Sequence, residues 1–271
     1  MTMLRVPASY YQQFDADWSL DVPAEGYGGW RHAELELARE RTALVVMHAW
    51  DVGTREEFPG WHRAVEYIPR AEAICRDVFP GLLGAFRRSG MRLYHVVGGG
   101  DYYRRLPGYR AAAELAGPAP SAPGIVAPDP SLEALRRFRE ERVFVGAHNA
   151  GDVRRGFARL GFAPNAEPRD EEGVAEDGRQ LLALCGRDGV NHLLYAGFAI
   201  NWCLLLSPGG MAEMARYGLM CSAIRDAVTA VENRETARDE LCKRQALWRV
   251  ALAFGFVFSS ADLIAALTRE G

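Results

Sequence analysis

Five cysteines and six histidines carry most of the nucleophilic and proton-transfer chemistry open to this 271-residue chain. Cys203 is the best placed of them, at the end of the run YAGFAINWC, residues 195–203. An apolar strand is expected to end at Gly197, followed by a short turn and a helix that Cys203 opens. A thiol there has its thiolate favoured by the helix dipole, and the free N–H groups of the turn can hold an oxyanion. Taken as packing alone, Cys203 is a small hydrophobe, as most free cysteines are. Position by itself leaves both readings open. His48, Asp51, His62, His95 and His148 share a region, but none falls in H-E-x-x-H or another tight ligand spacing. No metal is assigned to them. Gly98, Gly99 and Gly100 follow a strand, but a dinucleotide fingerprint needs a third glycine where Tyr103 stands. They read as a flexible turn, and no cofactor is expected.

The elements that must position these groups are visible as apolar runs. Thr42–His48, Arg92–Val97, Arg142–Val145 and His192–Gly197 are continuous rather than alternating, which suits strands buried on both faces. Gly218–Ile224 follows as a fifth. Helical stretches lie between them at roughly 62–89, 131–140, 177–188 and 202–217, with two more in 235–254 and 260–267. Pro69 and Pro80 are expected to break the first. Strands alternating with helices predict a three-layer αβα fold with a doubly wound, mostly parallel sheet of about six strands. Sites in such sheets belong at the carboxyl ends of the strands. That rule selects His48 to Asp51, Gly98 to Asp101, Gly146 to Asn149, and Gly197 to Cys203.

Residues 1–40 are rich in aromatics and turn formers and read as an irregular arm ahead of a domain over 41–271. The Gly/Pro-rich stretch 98–130 reads as a lid or an oligomer contact. Net charge is −3 and no basic stripe appears, so nucleic acid is not an expected partner. No apolar run is long enough to span a membrane, and the N-terminus lacks the apolar core of a signal peptide. Widely spaced cysteines without a C-x-x-C pair suit a reducing compartment, so a cytoplasmic location is expected.

Three segments resemble one known family. GFAINWC (197–203) is similar to the G-(V/I/L)-A-T-(N/D)-x-C segment of the isochorismatase-like cysteine hydrolases. TALVVMHAWD (42–51) resembles their first strand, and GFVFSSADLIAAL (255–267) resembles their usual ending. The likeness spans most of residues 40–268. It implies a cysteine nucleophile at Cys203, with an Asp base at the end of the first strand and an assisting Lys after the third. It also implies a cis bond at Phe198–Ala199 that turns the N–H groups of Ala199 and Cys203 toward an oxyanion. The family's Asp falls on His48 and its Lys near Gly146, while Lys243 is the chain's one lysine. Ile200 stands where the motif has Thr, and Pro208, Gly209 and Gly210 lengthen the stretch after Cys203.

The expected function is therefore a cysteine-dependent hydrolase of a small amide-type molecule. His48 would replace the Asp base. His148 would supply the missing polarising group, with Asp51 or Asn149 orienting one of the rings. Trp50, Tyr102 and Tyr103 would wall the pocket. The alternative is an altered, inactive member that binds a small molecule. The resemblance also implies a homo-oligomer.

Overall fold

Runs of apolar residues without alternation become strands covered on both faces. All six residues of Thr42–Met47 are buried, and so are all seven of His192–Phe198. The computed structural model describes residues 2–120, 124, 126–169 and 172–269. Its strands are β1 (Met3–Gln12), β2 (Gly29–Ala38), β3 (Thr42–Met47), β4 (Trp50–Asp51), β5 (Arg92–Val96), β6 (Gly161–Phe162), β7 (Gly173–Ala175), β8 (His192–Phe198), β9 (Met220–Thr229) and β10 (Val257–Phe258). Its helices are α1 (Pro59–Ala64), α2 (Ile68–Asp77), α3 (Phe79–Ser89), α4 (Pro107–Ala116), α5 (Pro130–Arg142), α6 (Ala150–Phe157), α7 (Gly178–Asp188), α8 (Cys203–Leu206), α9 (Met211–Arg216), α10 (Leu241–Ala253) and α11 (Ser260–Arg269).

The main sheet has eight strands in the order β2-β1-β10-β9-β8-β3-β5-β7, not about six. Every pairing from β10 to β7 is parallel. The extra pair comes from the N-terminal segment, where β1 and β2, ten residues each, form an antiparallel hairpin rather than an irregular arm. β1 joins the sheet edge through Ser9 opposite Val257. It alternates in and out, placing Leu4, Val6 and Ala8 in the core. The alternation was hidden by Pro7 and by the aromatic run that follows it.

Arg142–Val145 is not a strand. Arg142 closes α5, and Val143 and Phe144 are exposed at 67% and 42%. The outer parallel strand is instead the short β7, beside β5. The first helical stretch is broken into α1, α2 and α3, and prolines occupy the first turn of each. The stretch 98–130 is not an open lid. Its middle is α4, which packs on α7 and β7, and Tyr103 and Tyr109 are buried. Residues 121–123 and 125 of that stretch lie outside the described residues.

Helices α2, α3 and α11 cover one face of the sheet. Helices α4 and α7 to α10 cover the other. Side chains such as Leu44, Leu194 and Tyr195 are fully enclosed between these layers. Each such burial contributes ~1.5–3 kcal/mol, which makes the central strands a rigid base for whatever stands at their ends.

Candidate active site

Strand β8 delivers the GFAINWC turn. The Phe198–Ala199 peptide bond is cis. The turn is tied down by its neighbours: Ile200 N–H donates to Thr229 O at 2.8 Å, and Trp202 and Leu204 N–H both donate to Ala199 O at 3.1 Å. Asn201 pairs with the backbone of Val231 in both directions, Nδ2 donating at 2.8 Å and Oδ1 accepting at 2.9 Å. An amide does this because it carries a donor and an acceptor in one plane, like a peptide group. The N–H groups of Ala199 and Cys203 make no hydrogen bond among the described residues.

Cys203 is half-buried, and its Sγ has no hydrogen-bond partner among the described residues. The long helix expected after it is absent. α8 has four residues, Pro208, Gly209 and Gly210 interrupt it, and α9 restarts at Met211. A single turn has little aligned dipole, so that contribution to the thiolate falls away.

His48 stands at the end of β3, beside the end of β8, where Met47 pairs with Gly197. Its backbone is left-handed, with φ of 50°. The ring makes no hydrogen bond to the thiol among the described residues. It stacks on Trp50, with centroids 4.7 Å apart, and a Cβ at Gly98 would lie 3.4 Å from Nε2. Burial lowers its pKa to about 4, opposed by the Val97 carbonyl. Nδ1 is buried without a partner.

The other expected site residues separate into two groups. His148 is exposed, next to Gly146. Its loop does reach the site, since Phe144 lies 6.3 Å from the Trp202 ring. Asn149 is buried but orients no imidazole. Its Nδ2 donates to Val145 O and its Oδ1 accepts from Arg63 Nε at 3.2 Å. Asp51 accepts from Gly53 N–H at 2.9 Å and so shapes a turn. Trp50 Nε1 donates to the Tyr102 hydroxyl at 2.9 Å, and Tyr103 donates to Glu176 at the same distance. Tyr102 also packs on Phe162 at 4.9 Å. These rings close on one another and leave no cavity between Tyr102, Phe162 and His95. Tyr103 is buried, while Trp50 and Tyr102 are half-buried.

The histidines considered for a metal are held elsewhere. His62 Nε2 meets Gly53 O at 3.1 Å. His95 Nε2 meets Glu172 at 2.8 Å, and Arg87 grips the same carboxylate at 2.6 Å. Burial lowers the His95 pKa, so the ring is neutral and donates. Burial acts to raise Glu172, yet the bonds from His95 and Arg87 prevail and hold it at about 2.

A side chain beside the thiol, Tyr67, and one beside its turn, Arg70, were not visible in the sequence. Tyr67, just before α2, has its hydroxyl pKa raised by burial and then by the charges of Cys203 and Glu66. It stays protonated beside the sulfur. Arg70 donates to Thr229 Oγ1 at 3.1 Å and to Glu66 at 2.8 Å, and pairs with Glu240 at 3.3 Å. Nothing in their spacing relates residues 66–70 to 203, since only the docking of α2 against β9 brings them together.

No family model and no curated protein matches the chain. Solved structures do. A cysteine hydrolase from Pseudomonas syringae is 14% identical with a TM-score of 0.51, covering 87% of this chain and 96% of its own. An isochorismatase family protein from Burkholderia thailandensis is 17% identical, with a TM-score of 0.46 and coverage of 85% and 97%. An isochorismatase from Pseudomonas putida is 16% identical, with a TM-score of 0.42 and coverage of 83% and 91%. This chain therefore shares the fold of an isochorismatase-like cysteine hydrolase.

Proposed function

We propose that the protein is a cysteine hydrolase acting on a small amide-type molecule through Cys203. The observation that carries this reading is the pair of unbonded N–H groups, on Ala199 and Cys203, flanking a half-buried thiol. In the reaction, Sγ attacks the carbonyl carbon and the C=O electron pair moves onto oxygen. The two N–H groups hold that oxygen. Collapse breaks the C–N bond, and the leaving nitrogen takes the proton that Sγ gave up. Water then cleaves the thioester and frees the thiol. Burial against Trp50 leaves the ring a weak base, so His48 takes the thiol proton only once it leaves Trp50 and regains ordinary imidazole basicity.

A second reading is a small-molecule-binding protein with an idle thiol. The absent His48–Cys203 bond favours it. Alkylation of Cys203 by iodoacetamide across pH, followed by peptide mass spectrometry, separates the two. Burial pushes Cys75, Cys185 and Cys221 up to about 12, so they react slowly, and the peptide masses distinguish Cys203 from the other half-buried thiol, Cys242. Fast alkylation below about pH 7 that His48→Ala removes supports the hydrolase. A thiol inert up to about pH 9 overturns it in favour of binding.

A further inference from the structure

An open cleft lies at the opposite end of the sheet from Cys203. It is a cleft of about 450 Å³ at the amino ends of β3, β8 and β9, roofed by the last residues of β2. That volume falls within the ~300–1,000 Å³ of ordinary small-molecule sites.

Its lining is chemically uneven. A row of polar side chains, Thr42, His192 and Ser222, interrupts the core face at the starts of three adjacent strands. All three are buried, Thr42 at 1% exposure. Ser222 Oγ accepts from Phe256 N–H at 2.9 Å and meets His192 Nε2 at 2.8 Å. The row ends without a partner, because Thr42 Oγ1 is buried and bonds to nothing. An orphaned buried hydroxyl costs ~1–3 kcal/mol, so Thr42 Oγ1, buried behind the cleft wall, would gain from a partner brought to it.

The same wall carries an unbalanced charge. Arg41 Nη1 donates to Gly189 O at 2.9 Å, and no carboxylate pairs with it among the described residues. The acid nearest to the cleft, Glu36, is already bound to Arg5 at 3.0 Å. The Nε–Nη2 edge of Arg41 remains, and that edge takes a carboxylate with two parallel bonds. The Asn191 side chain adds a donor and is likewise unbonded. Leu37 and Phe256 supply apolar surface opposite.

We propose that this cleft is a second binding site, for a small carboxylate with an apolar body. The carboxylate sits on Arg41 and Asn191 at the end of the Thr42–His192 row, and the body lies on Leu37 and Phe256. The inference is independent of the chemistry proposed at Cys203.

Benzoate, octanoate and neutral benzamide, titrated by calorimetry into the full chain, test it. Benzoate and octanoate are expected to saturate below about 10 mM, with benzamide weaker by at least tenfold. Arg41→Gln should weaken benzoate by about tenfold, and Thr42→Val by about threefold, while thermal melts show both variants folded. Cys203→Ala should leave benzoate binding unchanged. Absence of saturation overturns the proposal. So does full-strength binding by folded Arg41→Gln, or loss of binding in Cys203→Ala, which would place benzoate at the thiol.

Discussion

His48 and His192 occupy opposite ends of neighbouring strands, β3 and β8, and make a natural pair of controls. Burial lowers both to about 4, so both rings are neutral at pH 7. They differ in what holds them. His192 is tied to Ser222 at 2.8 Å, whereas His48 has a buried Nδ1 with no partner and rests on Trp50 by stacking. Burial thus sets the charge state at both ends, but hydrogen bonding decides how firmly each ring is placed. The amino end is anchored and presents a fixed wall. The carboxyl end keeps its backbone donors rigid and holds its imidazole by stacking and the Val97 carbonyl alone.

The largest expected effect tests the shared half of that comparison. Each ring binds its proton less readily folded, at about 4, than unfolded, near the ordinary 6.5. Between those values the unfolded chain holds more protons, so stability is full above about pH 6.5 and falls as pH drops toward 4. The loss is on the order of 3 kcal/mol for each ring. Urea unfolding at pH 7 and pH 4.5 measures it. His48→Asn, which tolerates the left-handed backbone, and His192→Gln should each remove one share of the slope. If neither variant flattens the pH dependence, burial is not what sets these two rings.

A smaller effect probes the rigid backbone half of the carboxyl end. Asn201→Ala removes both bonds to Val231 and should cost about 2 kcal/mol, with slower alkylation of Cys203. Asn201→Asp keeps the acceptor and should recover part of both. Unchanged stability and reactivity in Asn201→Ala would show that the turn is held by other means.

The smallest effect concerns the amino end. In the absence of ligand, Thr42→Val replaces an unbonded hydroxyl by a methyl of similar size and should stabilise by up to about 1 kcal/mol. A loss of more than about 1 kcal/mol would mean that Oγ1 has a partner.

Much of the frame was legible because burial on both faces leaves a direct trace. Thr42–Met47, Arg92–Val96 and His192–Phe198 stand out as runs without alternation, and all three are core strands. The same rule failed at Val143 and Phe144, which are apolar but exposed, beside Trp202. β7 escaped notice because three residues carry no period. The hairpin escaped because Pro7 and the aromatic run mask an alternation that only its pairing with β10 makes useful.

At the candidate site, the turn after β8 was readable and its companions were not. The turn and the thiol were plain from Gly197 to Cys203, and the cis bond at Phe198–Ala199 was what the family resemblance implied. The identity of residue 48 as histidine was equally plain. Whether that ring faces sulfur or indole depends on Trp50 and on the packing beside Gly98, which come from different strand ends. Tyr67 comes beside the thiol, and Arg70 beside Thr229 at its turn, only because α2 docks on β9. The sequence alone determined the layers, the thiol and its turn, because local pattern and burial dictate them. The tertiary structure decided which side chains stand around that thiol, and it opened a second cleft at the far end, because both arise where segments distant in the chain meet.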